Sequence, residues 1–142
     1  MPGMVMERIK KLTANETEAA NRAEATALLI RAGYRVYRPE ADCYGEDLIL
    51  RTPSGELRAV QLKSRPTVDR KYGNKSLWIL FPAPKSTDPE RKWFLVHHDR
   101  FYKWAERKHG HTRTWEEKEA WHYPTISNEL KRFLDKYAVI AS

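Results

Sequence analysis

The chain has 142 residues, 41% of them hydrophobic, enough for one core and too few for a second independent domain. Its 26 Lys and Arg against 19 Asp and Glu leave a net charge of +7, which favours polyanionic partners such as nucleic acid. Cys43 is the single cysteine, which excludes an internal disulfide and a zinc ribbon, and no apolar run approaches the ~18 residues that span a bilayer. The opening MPGMVMERIKKL lacks the apolar stretch of a signal peptide, so a cytoplasmic protein with no membrane partner is expected.

In chain order, residues 15–32 are rich in Ala, Leu and Glu and end at Gly33, which predicts a helix closed by a left-handed glycine. YRVYR then has strand composition and stops at Pro39. Residues 45–66, GEDLILRTPSGELRAVQLKSRP, read as two strands around a turn. Thr52 and Glu56 flank Pro53, Ser54 and Gly55, the signature of a three-residue hairpin loop. That pairing sets Asp47 opposite Gln61 and, by alternation, puts Ala59, Gln61 and Lys63 on one face with Val60 and Leu62 on the other. A two-residue loop would instead pair Asp47 with Val60.

Residues 65–75 hold Arg65, Arg70, Lys71 and Lys75 against Asp69 and predict a mobile basic loop. SLWILF and KWFLVH are the next expected strands, separated by PAPKSTDPER. DRFYKWAERKHG suits a helix capped by Asp99 and ended by Gly110, and TWEEKEAW begins a helix with the capping-box spacing Thr114 to Glu117. Ile126, Leu130, Phe133, Leu134 and Tyr137 fall at helical spacing, which predicts a final amphipathic helix packed on the domain. The histidine pairs 97–98 and 109–111 lack the His-x-x-x-His helical spacing of a transition-metal site.

A helix bearing acids, then strands carrying GEDLIL and VQLKS, resembles the PD-(D/E)XK nuclease superfamily, including its Holliday-junction resolvases and intron-associated endonucleases. The resemblance covers residues 15–64 and implies an α/β fold with a restriction-endonuclease-like central mixed β-sheet flanked by helices. It implies a Mg²⁺- or Mn²⁺-dependent endonuclease acting on DNA, with the metal held by Asp47, the Gln61 side-chain oxygen and the Leu62 carbonyl, and with Lys63 acting on water and on the phosphate. Two positions depart from the family pattern: Glu46 stands where a proline usually precedes the aspartate, and Gln61 stands where the tripeptide usually has an acid. The intron-associated type is similar in carrying Gln there.

The helix acid implied by the family falls near Arg22, about three turns before Gly33. Glu18 shares that face through the stripe Glu18, Arg22, Ala25 and Leu29, and is preferred as metal ligand; Glu24 is the alternative. Arg65, Arg70, Lys71 and Lys75 would grip phosphates, with Tyr72 and Trp78 as aromatic contacts to nucleic acid. A homodimer would suit double-strand cleavage, although no segment marks its interface. The rival from another class is a nucleic-acid-binding module with a degenerate nuclease site, for which Gln61 and the displaced helix acid argue.

Overall fold

The computed structural model describes residues 11–41, 45–84, 86, 88 and 90–141; Cys43 and the first ten residues lie outside them. Helix α1 runs over Ala14–Arg31, one residue earlier at each end than its composition predicts. Thr13 fixes its start as a capping box: the hydroxyl accepts from Glu16 N–H at 3.1 Å while the Glu16 carboxylate accepts from Thr13 N–H at 2.9 Å, so two donors at the helix start are satisfied. Gly33, at φ +94°, ends it. None of the described helices is long and apolar enough to cross a membrane.

The strands are β1 (Arg35–Tyr37), β2 (Leu48–Arg51), β3 (Leu57–Leu62), β4 (Thr67–Asp69), β5 (Leu77–Pro82), β6 (Trp93–His97) and β7 (Ala120–His122). Five build one sheet in the order β1-β2-β3-β5-β6, with β3 and β5 parallel and the other neighbours antiparallel; β4 and β7 make a separate pair. The mixed sheet flanked by helices is thus the expected architecture, and five of the seven strands sit where YRVYR, GEDLIL, VQLKS, SLWILF and KWFLVH place them. The β2–β3 turn has the three-residue form: Thr52 N–H donates to Glu56 O at 2.7 Å and Gly55 takes φ +96°, a conformation that favours glycine.

The sheet divides two apolar clusters. On one face α1 contributes Ala25 and Leu29 to a cluster with Leu48, Leu50, Val60, Leu62, Leu80, Trp93 and Leu95. On the other, helices α2 (His98–His109), α3 (Arg113–Lys118) and α4 (Asn128–Leu134) pack Phe101, Ala105, Trp115, Leu130 and Leu134 over Leu77, Ile79, Phe81, Phe94 and Val96. Leu130 and Leu134 are buried as the helical spacing requires, with Ile126, Phe133 and Tyr137 packed alongside.

Three local expectations are corrected. Residues 65–75 are not a mobile loop: Thr67, Val68 and Tyr72 are buried, β4 pairs with β7, and Arg70–Tyr72 form a 3-10 turn. The cap of α2 is His97, whose ring accepts from Asp99 N–H at 3.2 Å, so Asp99 lies inside the first turn. Thr112, not Thr114, caps α3, and Glu119 at φ +49° ends it so that Ala120–His122 can pair with β4 instead of continuing the helix. The β4–β7 pairing, distant in sequence, decided the first case and the end of α3, whereas the two caps are local contacts.

Glu24 serves this packing. Its carboxylate accepts from Arg91 Nε at 2.8 Å and from Trp93 Nε1, and Arg91 Nη2 also donates to Asn21, which ties α1 to the start of β6. The Glu24→Ala variant should therefore lose about 2–3 kcal/mol of stability, because a largely buried guanidinium is left without its carboxylate. Chemical denaturation checks this; an unchanged midpoint would free Glu24 for another role.

Candidate functional site

The β2–β3 register brings the polar residues together. Leu48 pairs with Val60 and Arg51 with Leu57, so the register that sets Asp47 against Gln61 is the observed one. The ladder stops at Leu48. Asp47 sits on the bend before β2, its N–H donates to Val60 O at 2.7 Å, and its carboxylate takes the place of the next rung. Oδ2 accepts from Leu62 N–H at 2.9 Å and from Gln61 Nε2 at 3.0 Å. A strand residue directs its N–H and C=O to the same edge, so the Leu62 carbonyl leaves β3 on the Asp47 side.

Gly45 lets the chain pass close by. It has φ +88°, and a Cβ there would lie 3.3 Å from Gln61 Oε1 and 3.5 Å from the Tyr72 ring. Lys63 is anchored through its backbone, N–H to Leu80 O at 2.8 Å, and its ammonium lies 5.0 Å from the centre of the Tyr72 ring. These groups open onto a cleft of about 590 Å³ whose opposite wall is the first two turns of α1, with Thr17, Glu18 and Asn21. Glu18 enters the cleft paired with Arg22 at 2.8 Å, and Glu24 does not line it.

Sequence reasoning passed over Lys11, Thr17, Asn21 and Ser64 as lining residues. Ala14, Thr17, Glu18 and Asn21 follow the i, i+3, i+4, i+7 spacing of one helix face, a signal that was available once Glu18 had been chosen. Among the described residues no three His, Cys, Asp or Glu side chains gather as a metal cluster. The oxygen-bearing residues that line the cleft include the carboxylates Asp47 and Glu18, the Gln61 amide and Leu62 with its backbone carbonyl; oxygen donors of this kind suit a hard divalent ion.

The basic and aromatic candidates are dispersed. Arg65 and Lys75 are exposed, Arg70 pairs with Glu119 at 2.8 Å, and the Lys71 ammonium lies 5.1 Å from the Tyr72 ring. Tyr72 is buried in the helix-side core, so its face is not available for a base to stack on. Trp78 is on β5 opposite Val60, half-buried, with Arg58 stacked on it at 3.8 Å and His97 edge-on. Both rings thus have packing partners within the fold. His109 likewise has a packing role: it stacks on Trp121 and meets the Tyr123 hydroxyl at 2.9 Å.

His98 holds the basic segment in place. Asp69 N–H donates to its Nε2 at 3.2 Å, which leaves the proton on Nδ1 to donate to Asp99 Oδ1 at 3.0 Å, and Asp99 in turn accepts from Asn74 N–H at 3.2 Å. Burial holds the His98 pKa below the ordinary 6.5, against the pull of Asp99. The unfolded chain therefore takes up a proton that the fold refuses, and stability falls as pH drops below about 6.5. His109 and His122 are shifted the same way, by burial first. The melting temperature should fall between about pH 7.5 and pH 5.5, and less steeply in His98→Gln; parallel profiles would remove His98 as a source of the slope.

The fold is an α/β architecture, a mixed sheet flanked by helices, with the polar cleft at one end of its central strands. Among solved structures, a bacterial homing endonuclease, I-Ssp6803I, is similar, with a TM-score of 0.52 and 15% identity over 89% of this chain and 86% of that one. No protein-family model and no curated protein matches the chain.

Proposed function

We propose that the protein is a divalent-metal-dependent DNA endonuclease of the PD-(D/E)XK type, with Asp47, Gln61, Leu62, Lys63 and Glu18 as its site. The observation that carries this reading is the convergence of Asp47, Gln61 and Lys63, from two strands, on the cleft that Glu18 enters from α1. Mg²⁺ or Mn²⁺ would supply a polarised water and positive charge beside the phosphate. Asp47 is held for ligation by the Leu62 N–H, and Lys63 places an ammonium where charge develops on the phosphate oxygens. The fold likeness to a homing endonuclease supports DNA as substrate. A homodimer would bring a second site to the opposite strand.

The test is cleavage of supercoiled and linear DNA with Mg²⁺, Mn²⁺ or chelator, in wild type and Asp47→Asn. Metal-dependent cleavage lost in the variant supports the reading. The binding-module reading draws on two contacts: Gln61 turns its amide nitrogen to Asp47 and adds no negative charge, and Glu18 is already paired with Arg22. DNA binding without metal binding or cleavage would establish it instead.

Phosphate contacts from the segment after β4 are tested separately. Arg70→Ala with Lys71→Ala should weaken binding alike across DNA sequences and reduce the salt slope by up to ~1.8, at ~0.9 per phosphate contact. An unchanged slope would show that neither side chain touches phosphate.

A further inference from the structure

The helices α2–α4 cover only part of the sheet face they pack on. Under them lie β5, β6 and the Ala59 position of β3. The same face continues across β1 and β2, where the register aligns Arg35 with Arg51 and Leu57, and Tyr37 with Ile49 and Ala59. There Tyr37 is 45% and Leu57 61% exposed, and both arginines are exposed. The opposite face of these strands carries Val36, Leu48 and Leu50 into the α1 cluster, so the exposure belongs to one side only.

This open area has a definite chemistry. Its six register positions hold two arginines, a tyrosine and three aliphatic residues, and no carboxylate. Interaction with Arg51 first, and with Arg35 to a smaller extent, holds the Tyr37 hydroxyl below its usual pKa, and Arg51 Nη1 also donates to Gly55 O at 3.3 Å. The face is continuous with the cleft: along β3, Leu57, Ala59, Gln61 and Lys63 alternate onto the same side. Arg51 stands four residues from Asp47, about 13 Å at ~3.3 Å per residue, which spans about four base-pair steps of ~3.4 Å.

We infer that the uncovered face of β1, β2 and β3 docks duplex DNA through the major groove, with Arg35 and Arg51 reading base edges about four base pairs from the phosphate at Asp47. Two strands ~4.8 Å apart fit a groove ~12 Å wide, and a guanidinium fork matches the paired acceptors of guanine. Positive charge without a carboxylate selects a polyanion, and one exposed aromatic ring is too little for the stacked platform that single strands require. The placement of the cut rests on the proposed nuclease site; the docking does not.

The experiment is duplex binding in chelator, where no cleavage occurs, by fluorescence anisotropy and by selection from a randomised duplex pool. Arg35→Ala with Arg51→Ala should weaken duplex binding at least about tenfold and erase base preference in a short window. Arg51→Lys keeps the charge but not the fork, so it should keep most of the affinity and lose preference at one position. Wild-type affinity in the double variant, base preference unchanged in Arg51→Lys, or tighter binding of wild type to single strands or RNA than to duplex would each overturn the inference. The two readings fail separately. Intact metal-dependent cleavage with an unaffected double variant sinks the docking face alone, whereas loss of duplex affinity in the double variant of a protein that never cleaves sinks the nuclease alone.

Discussion

Replacing Lys63 with alanine is expected to lower the rate of DNA cleavage by about 10³-fold, within the ~10²–10⁴ that a positioned proton-transfer or charge-stabilising group contributes. The fold should survive, because Lys63 holds its place in the sheet through its backbone N–H to Leu80 O, which alanine keeps. What the side chain adds to stability is the contact of its ammonium with the Tyr72 ring, about 0.5–1 kcal/mol. DNA affinity should fall little, by no more than one phosphate contact's share of the salt slope, ~0.9. Single-turnover cleavage with anisotropy on the same duplex separates the two effects, and wild-type cleavage in the variant would remove Lys63 from the mechanism. Lys63→Arg divides the remaining roles: it keeps a cation that cannot be deprotonated, so recovery of activity means charge stabilisation and continued inactivity means proton transfer.

Gln61→Glu should raise Mg²⁺ and Mn²⁺ affinity at least about tenfold, equivalent to ~1.4 kcal/mol. The Gln61 amide now donates Nε2 to Asp47 Oδ2 at 3.0 Å; a glutamate there has no donor and brings a second negative charge against the first. Without metal the repulsion and the lost hydrogen bond should cost about 1–2 kcal/mol of stability. A cation relieves both, so addition of Mg²⁺ should raise the melting temperature of the variant more than that of wild type. Calorimetric titration and thermal melts in both proteins decide it. Equal affinities, with Asp47→Asn also without effect on metal binding, would sink the metal-site reading and put the binding module ahead.

The sequence by itself determined the elements whose signals are local. Gly33 ends α1, the Pro53-Ser54-Gly55 turn fixed the β2–β3 register, and that register with strict alternation put Asp47, Gln61 and Lys63 within reach of one another. Tertiary structure decided whatever depended on a distant partner. Residues 65–75 look mobile because they are charged, yet β7, some fifty residues later, pairs with β4, and the core takes Tyr72. Trp78 stands beside a basic run in the sequence, but in the fold Arg58 and His97 pack against it. The two candidate acids on α1 are six residues apart on one helix, and helical spacing alone left both in play. The sheet separates them: Arg91 and Trp93, brought in by β6, claim Glu24, while the end of β3 faces the turn that carries Glu18. Hydrogen-bond and charge partners supplied across the fold, which no local pattern encodes, put Glu24 in the packing and leave Glu18 at the cleft.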